Sequence, residues 1–582
     1  MGQHQSKSHN ENQPSMDENG STLSLGKQST TECSSLGERS NATLLQLKRK
    51  LKRIEHYSLH QVFDELKTEY PDHFECIEAK KFLEHLNLPS SVEQGGILLF
   101  KSFSYLGSYP NCSSAVPLTF DAFLTAFVLL TGKMDNEESS ESLFEDMFFE
   151  SLAIVHSTKP SNEEEAQVEE DHPQPNEIQS SDRKSKGLSL ADLGVSFDDL
   201  DFGRDIMKST NNNSMDNDDD QNDDSSAMML CRDLVELFTL MLYIVQLEKQ
   251  EQEEVDVDAL RQMARTMVES MQPREEQVSQ RHFFAWKRRN APYLFKTIQC
   301  FIYGKFGLSG QSSVTTVSDL ILPEDSVSTP DTSDILTIPY CALLCWCLPD
   351  IARRVKQWPC LYSANNDGFA MNRFERNVFR YPGPTLLVIQ GEVQDKTIVV
   401  GVYVPEAWKQ SRHYWGSDEC FVFELWPTFQ VYRASGRNQQ YMYYHDDFGI
   451  GMGGTSKSSA PPKQPSHHHS TSSVSLGSSQ FLLMLDNTLQ QGVYAQELYP
   501  PLPTFENHSH TSFYTKFDTI NIEVFGLGSE KARQVQEREW DFEKREALRR
   551  AGLQFRQADG NQVDRELLRM AGIIDDDNRQ ER

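Results

Sequence analysis

TINIEVFG, residues 519–526, reads as a single β-strand. Ile520, Ile522 and Val524 alternate with Asn521 and Glu523, and a period of two sends apolar side chains to one face and polar ones to the other. The strand is expected to be half-buried, with Asn521 and Glu523 turned to water. Upstream of it stand further short runs rich in β-branched and aromatic residues: PTLLVIQG, KTIVVGVYV, ECFVFELW, TFQVYR, QYMYY, QFLLMLD and GVYAQE. Gly, Pro, Asn or Asp separates them, as in successive strands. Strands so close in sequence pair antiparallel, which predicts a two-sheet β-sandwich with a few flanking helices. A Ser/Pro/His-rich insertion at 455–480 interrupts it.

The rest of the chain carries a helical period, so the fold class is α+β. In SLHQVFDEL (58–66), Leu59, Val62, Phe63 and Leu66 fall on one helix face, and Ser58 with Gln61 has the form of a capping box. LTFDAFLTAFVLL (118–130) repeats the pattern. The paired helices resemble degenerate EF-hand-like modules, yet no twelve-residue loop of alternating Asp/Asn with a central Gly joins them, so calcium binding is not expected. The organisation predicted is a disordered leader at 1–44, a helical domain at 45–156, an acidic linker at 157–226, a second helical domain at 227–334, the β domain at 335–528 and charged helices at 529–582. The linker runs through NEEEAQVEEDH and MDNDDDQNDD and holds one apolar patch, GLSLADLGVSFDDLDF. SEKARQVQEREWDFEKREALRRAG (529–552) interleaves charges of both signs, as an exposed helix does. VDRELLRMAGII (563–574) follows as a short second helix.

The 582 residues carry 56 basic and 86 acidic side chains, a formal net charge of -30. Such a chain repels phosphate backbones, and no direct contact with nucleic acid is expected. In RHFFAWKRRNAPYLFKTIQCFIYGKF the aromatic residues recur at helical spacing and read as core, with Lys and Arg on the wet face. The ten cysteines form no CxxC pair with zinc spacing, and CALLCWC (341–347) reads as buried thiols in a reducing compartment. The apolar run LVELFTLMLYIVQL (234–247) is too short to span a bilayer and reads as a buried helix. MGQHQSKS matches the N-myristoylation form M-G-x-x-x-[ST], with Gly2 as acceptor and Ser6 in place. A single acyl chain binds a membrane marginally, so a second signal or a partner is required.

HDDFGIGMGG (445–454) contains Gly449-x-Gly451-x-x-Gly454, the spacing of a dinucleotide cradle. That cradle must open a helix inside a βαβ unit, whereas TSKSSAPPKQPSHHHS follows here. The glycines are expected instead to form a turn that lets backbone approach backbone between antiparallel strands. Candidates for catalysis are Asp367, Cys420, Glu424, His445, Asp446, Asp447 and Asp486. No His or Lys lies near Cys420 in sequence, and adjacent Asp446 and Asp447 on a strand would face opposite sides. Three neighbouring imidazoles, His467, His468 and His469, sit in a Ser-rich loop without a rigid surround. No catalytic, cofactor or metal site is expected.

LYSANNDGFAMNRF (361–374), GPTLLVIQG (383–391), GVYVPEAWK (401–409), ECFVFELWPTFQVY (419–432), GIGMGG followed by FLLMLD, and INIEVFGLG together resemble the TLDc domain, in that order. The resemblance marks Asp367, Gly368, Phe369, Gly449, Gly451, Gly453, Gly454, Gly526 and Gly528 as its structural motif. With the Gly2 start and the charged tail, the whole is similar to the fungal restriction of telomere capping protein five family. That resemblance implies a non-enzymatic, monomeric regulator without a cofactor. It also implies binding to the vacuolar proton-pumping ATPase and an influence on its assembly, with peripheral contact to the vacuolar membrane through the acyl group and an indirect effect on telomere capping. The alternative it leaves is an enzyme protecting against oxidants.

Overall fold

The computed structural model describes residues 43–134, 143–153, 227–249, 255–308, 327–454, 481–506 and 512–557, apart from short gaps at 71–73, 113, 412 and 498–501. Gly2, the 157–226 segment, the 455–480 insertion with its three histidines, and VDRELLRMAGII lie outside the described residues.

The helical part begins with α1 (Arg53–Leu66), α2 (Ala79–Leu86), α3 (Glu93–Leu106), α4 (Phe120–Leu130) and α5 (Leu143–Leu152). It continues with α6 (Cys231–Lys249), α7 (Val257–Glu269), α8 (Gln280–Asn290) and α9 (Lys296–Ile302). Helix α1 starts earlier than its capping-box reading implied. At its start Glu55 accepts from the Lys52 backbone amide at 2.8 Å, and Ser58 is buried in mid-helix, donating to the Phe306 carbonyl at 2.9 Å. The Ser58/Gln61 pattern is therefore not the cap, because the helix begins at Arg53 and buries Glu55 in its first turn. Thr119 does cap α4, accepting from the Ala122 amide. Among the described residues no helix is long and apolar enough to cross a membrane.

The helices on either side of the 157–226 segment share one core. Phe306, wholly buried, sits against Phe82, Phe103 and Phe123 with ring centroids 5.3–5.5 Å apart. Lys287, expected on the wet face of α8, is buried. Its ammonium pairs with Glu145 at 2.6 Å and donates to the Pro292 carbonyl. The partner that makes this burial tolerable lies on α5, far away in sequence.

The β region opens with a helix, α10 (Ile338–Cys347), in which Cys341, Cys345 and Cys347 are buried. Ten antiparallel strands follow: β1 (Cys360–Ser363), β2 (Thr385–Val393), β3 (Lys396–Val404), β4 (Phe421–Trp426), β5 (Gln430–Tyr432), β6 (Met442–His445), β7 (Gly449–Gly454), β8 (Phe481–Asp486), β9 (Gln491–Gln496) and β10 (Phe513–Gly526). Helices α11 (Ala364–Asp367) and α12 (Met371–Val378) separate β1 from β2, and α13 (Glu530–Gln557) follows β10. The order is β5-β4-β3-β2-β10-β9-β8-β7-β6, with β1 also on β10.

The two sheets expected are thus one hydrogen-bonded sheet. Its two arms share β10, whose residues 513–518 pair with β9 and whose residues 523–525 pair with β1. The register slips between Thr519 and Asn521, a bulge that re-aims the strand. Inside the fold, Leu387, Ile389, Val400, Val402 and Val422 of the first arm share a core with Ile450, Met452, Leu483, Leu485 and Phe517 of the second. Their alternates Leu386, Val388, Val399, Phe421 and Phe423 join the helical core on the other face. Burial on both faces explains why TLLVI and FVFEL are near-continuous apolar runs.

The helical layer also covers the edge strand β5. Asn290 of α8 accepts from the Val431 amide at 2.7 Å, and Arg433 donates to the carbonyls of Arg289 and Cys347.

Glu55 ties the helical halves together. Its carboxylate, fully buried, accepts from the Lys52 amide at 2.8 Å and Tyr303 Oη at 2.9 Å, and pairs with Lys133 at 3.1 Å. Burial alone would raise its pKa, but these donors hold it below the ordinary 4.5. A carboxylate with a depressed folded-state pKa stabilises above its unfolded value and loses that contribution as pH falls through the folded one. Urea unfolding across pH should therefore show Glu55→Gln destabilised by about 1–3 kcal/mol near neutrality. The gap to wild type should narrow below pH 4.5. A gap independent of pH would contradict the assignment.

Candidate functional site

The bulge in β10 takes Ile520 off the inner face, while Ile522 and Val524 keep the inward facing expected of them. Ile520 is 40% exposed, while Asn521 and Glu523 are 1% exposed. The half-buried reading of TINIEVFG is corrected here: Ile522 and Val524 face the interior between the arms, and the polar face is covered by residues 333–336 and α11. Glu523 accepts from Ser333 Oγ at 2.5 Å, from the Asp334 amide at 2.8 Å and from Asn521 Nδ2 at 3.2 Å. Asn521 Oδ1 accepts from the Asn365 amide, and Asn365 Nδ2 donates to Asp334. Ser333 Oγ in turn accepts from the Ile335 and Leu336 amides. With its proton on Glu523 and its oxygen shared by two amides, Ser333 is a latch rather than a nucleophile.

Asp367 and its neighbours lie beside this seam. Asp367 Oδ2 accepts from the Ser363 amide at 3.0 Å and so closes α11. Gly368 follows at φ +87°, a conformation that favours glycine, and Phe369 packs half-buried on the inner core. Cys360 is pushed up to about 12 by burial, and further by Glu523, Asp367 and Asp331.

Glu424 lies elsewhere, inside the fold. Its carboxylate accepts from Tyr494 Oη at 2.9 Å, and Tyr494 Oη is 2.7 Å from Tyr432 Oη. Burial raises the Glu424 pKa, and burial beside that acid raises both phenols. The trio joins β4 and β5 of one arm to β9 of the other.

Cys420 is buried next to β4, and burial pushes its thiol up to about 12. Asp446 and Asp447 occupy the turn after β6 rather than a strand; Asp446 accepts from Gln410 and Asp447 donates its amide to His445 Nδ1. Asp486 shapes the β8–β9 turn by accepting from Thr488 Oγ1 and the Gln490 amide.

GIGMGG is strand β7 itself, paired with β6 and β8, which corrects the expected turn; the turn is 446–448. Gly449, at φ +110°, lies where any side chain would meet the β8 backbone. Phe481, Phe505 and Gln440 fill the space beside Gly451, Gly453 and Gly454, so no phosphate cradle is left. Gly526 and Gly528 lie under the ring of Tyr381, whose hydroxyl accepts from the Gly528 amide at 2.8 Å. Among the described residues no group of three or more His, Cys, Asp or Glu side chains could hold a metal ion.

Sequence reasoning missed Ser333, Asp334, Asn365, Tyr432 and Tyr494. The one signal was an Asn and a Glu inside an otherwise apolar strand.

A folded antiparallel sheet latched to a preceding helix-rich segment through β10 defines a class. Residues 329–528 match the family model described as the TLDc domain. It is similar to fungal proteins named "Restriction of telomere capping protein 5". The one from Leptosphaeria maculans is 26% identical over 572 residues, covering 84% of this chain and 89% of that protein. Those from Neurospora crassa (27%, 45% of this chain and 49% of that protein) and Saccharomyces cerevisiae (24%, 44% and 50%) match about half their own lengths.

Two outcomes follow from the geometry. Glu523→Ala should strip the three donors of their acceptor and cost about 2–4 kcal/mol in urea unfolding. It should also speed amide exchange at Ile335 and Leu336; unchanged exchange there would sink the latch. Cys420 should resist iodoacetamide at neutral pH in the native chain and react after unfolding, read by peptide mass, because the thiolate is the reactive form. Rapid native alkylation would instead point to an activated thiol.

Proposed function

We propose that this chain is a non-enzymatic regulator that acts by gripping a protein partner, the vacuolar proton-pumping ATPase, and influencing its assembly. The observation that carries the reading is that acidic side chains of the TLDc domain are engaged inside its own fold: Glu523 and Asp367 at the seam, Glu424 between the arms, Asp486 in a turn. Recognition is then left to the surface, where α13 displays Phe542 and Leu548, 63% and 50% exposed. The choice of partner follows the resemblance to TLDc proteins. The helical half is read as a degenerate EF-hand-like module that no longer takes calcium.

An acyl group on Gly2, together with the bound ATPase, would hold the chain at the vacuolar membrane, each signal being weak alone. The relatives' name speaks of telomere capping. For this chain we read any such effect as indirect, since a net charge of -30 opposes contact with DNA.

Native purification through a tag on a C-terminal linker, with mass spectrometry of what co-purifies, tests the reading. Near-stoichiometric subunits of the vacuolar ATPase are expected. Recovery of the chain alone, or with chromatin components, would overturn it. Gly2→Ala should lower recovery with membranes several-fold.

A further inference from the structure

A groove of about 360 Å³ runs between α7 and the start of α10. Its floor is Leu260, Met263, Pro339, Tyr340 and Trp426, all buried or half-buried, and Ala259 stands exposed at its side. The floor is continuous with the helical core, against which Tyr340 and Trp426 pack. An apolar concavity of this size falls at the small end of the roughly 300–1,000 Å³ range of ligand pockets, which suits a single narrow apolar group.

We infer that the occupant is the acyl chain carried on Gly2, so that the chain can hide its own membrane anchor. This rests on the acylation proposed above. Residues 1–42 are otherwise polar, with only Leu23, Leu25 and Leu36 among the larger aliphatics besides methionine, so the acyl chain is the one long apolar group they would bring. Reach is ample. The residues between Gly2 and Thr43 span at most about 140 Å fully extended, against a radius of gyration near 20 Å for a compact domain of a few hundred residues.

Competition favours a switch. A lone myristoyl chain partitions into bilayers with a constant of only about 10⁴ M⁻¹. A tethered group meets its own groove at an effective concentration on the order of millimolar. A groove of modest intrinsic affinity therefore withdraws the anchor from the membrane, and any partner that closes or occupies the groove returns it.

The test uses the full chain, made with and without an N-myristoyltransferase and checked by intact mass. Hydrogen exchange is compared over 257–269 and 338–347, and binding to neutral phosphatidylcholine vesicles is measured by flotation. Ala259→Trp, at an exposed position, fills the groove without emptying the core.

Acylation is expected to slow exchange in both helices of the wild type. In Ala259→Trp that protection should be lost, and the vesicle-bound fraction of the acylated chain should rise several-fold while the bare chain stays unbound. Exchange that is identical in the acylated and bare wild type overturns the groove and leaves the anchor standing. A chain that accepts no acyl group removes both, and does so visibly at the mass measurement.

Discussion

Glu523 is 1% exposed in the middle of β10, and a carboxylate taken that far from water stands only if its oxygens are hydrogen-bonded. Its donors are Ser333, Asp334 and Asn521. Two of the three lie just ahead of α10, so the strand shared by both arms of the sheet is fixed to the segment that leads into the helical layer. The bulge at 519–521 makes this possible. Without the register slip, Asn521 and Glu523 would keep the facing of a regular strand, and the long strand could not turn from one arm to the other. Sheet folding, strand facing and attachment of residues 333–336 are three consequences of one local irregularity. The cost of a buried acid is offset at the same point by the geometry it imposes.

Periodicity made the kinds of element legible, but not their partners. Leu59, Val62, Phe63 and Leu66 announced α1, and LTFDAFLTAFVLL announced α4, because these signals act within a few turns of helix. The exposure of Asn521 and Glu523 was misread because period-two reasoning assumes one wet face, whereas both faces of this arm are covered. Lys287 was assigned to solvent because its partner Glu145 lies beyond a long acidic segment. The Glu424 trio was illegible for a similar reason: Tyr494 is 70 residues away, across the fold. The glycines of β7 were seen as special without a cause, since Phe481 and Phe505 enter from segments further along the chain. What escaped is what tertiary contact decides.

The same contacts bear on chemistry. A nucleophile needs a nearby base and a depressed pKa, and an acid–base pair needs two carboxylates in different surroundings facing one space. Here the thiols of Cys345, Cys347, Cys360 and Cys420 are each pushed up to about 11 or 12 by burial. Glu424 shares its space with phenols, not with a second acid. Such groups rigidify a core and give it a single arrangement, a role that suits a scaffold for recognition.

Charge then limits how such a scaffold meets a membrane. Cytosol-facing leaflets carry a negative surface potential that attracts basic segments by about 1 kcal/mol per residue near the surface. A net charge of -30 opposes the approach of the chain as a whole, against the local pull of the exposed Arg49, Lys50, Lys52 and Arg53. An acyl chain on this protein would therefore hold less well than the same chain on a basic one, and within residues 1–10 Lys7 is the one Lys or Arg beside it. Under the proposed function, residence at a membrane would come from a protein already there. On the proposed reading, a weak anchor that can be withdrawn into an apolar groove would make that dependence stricter: the chain would stay where its partner is, and leave when the partner does.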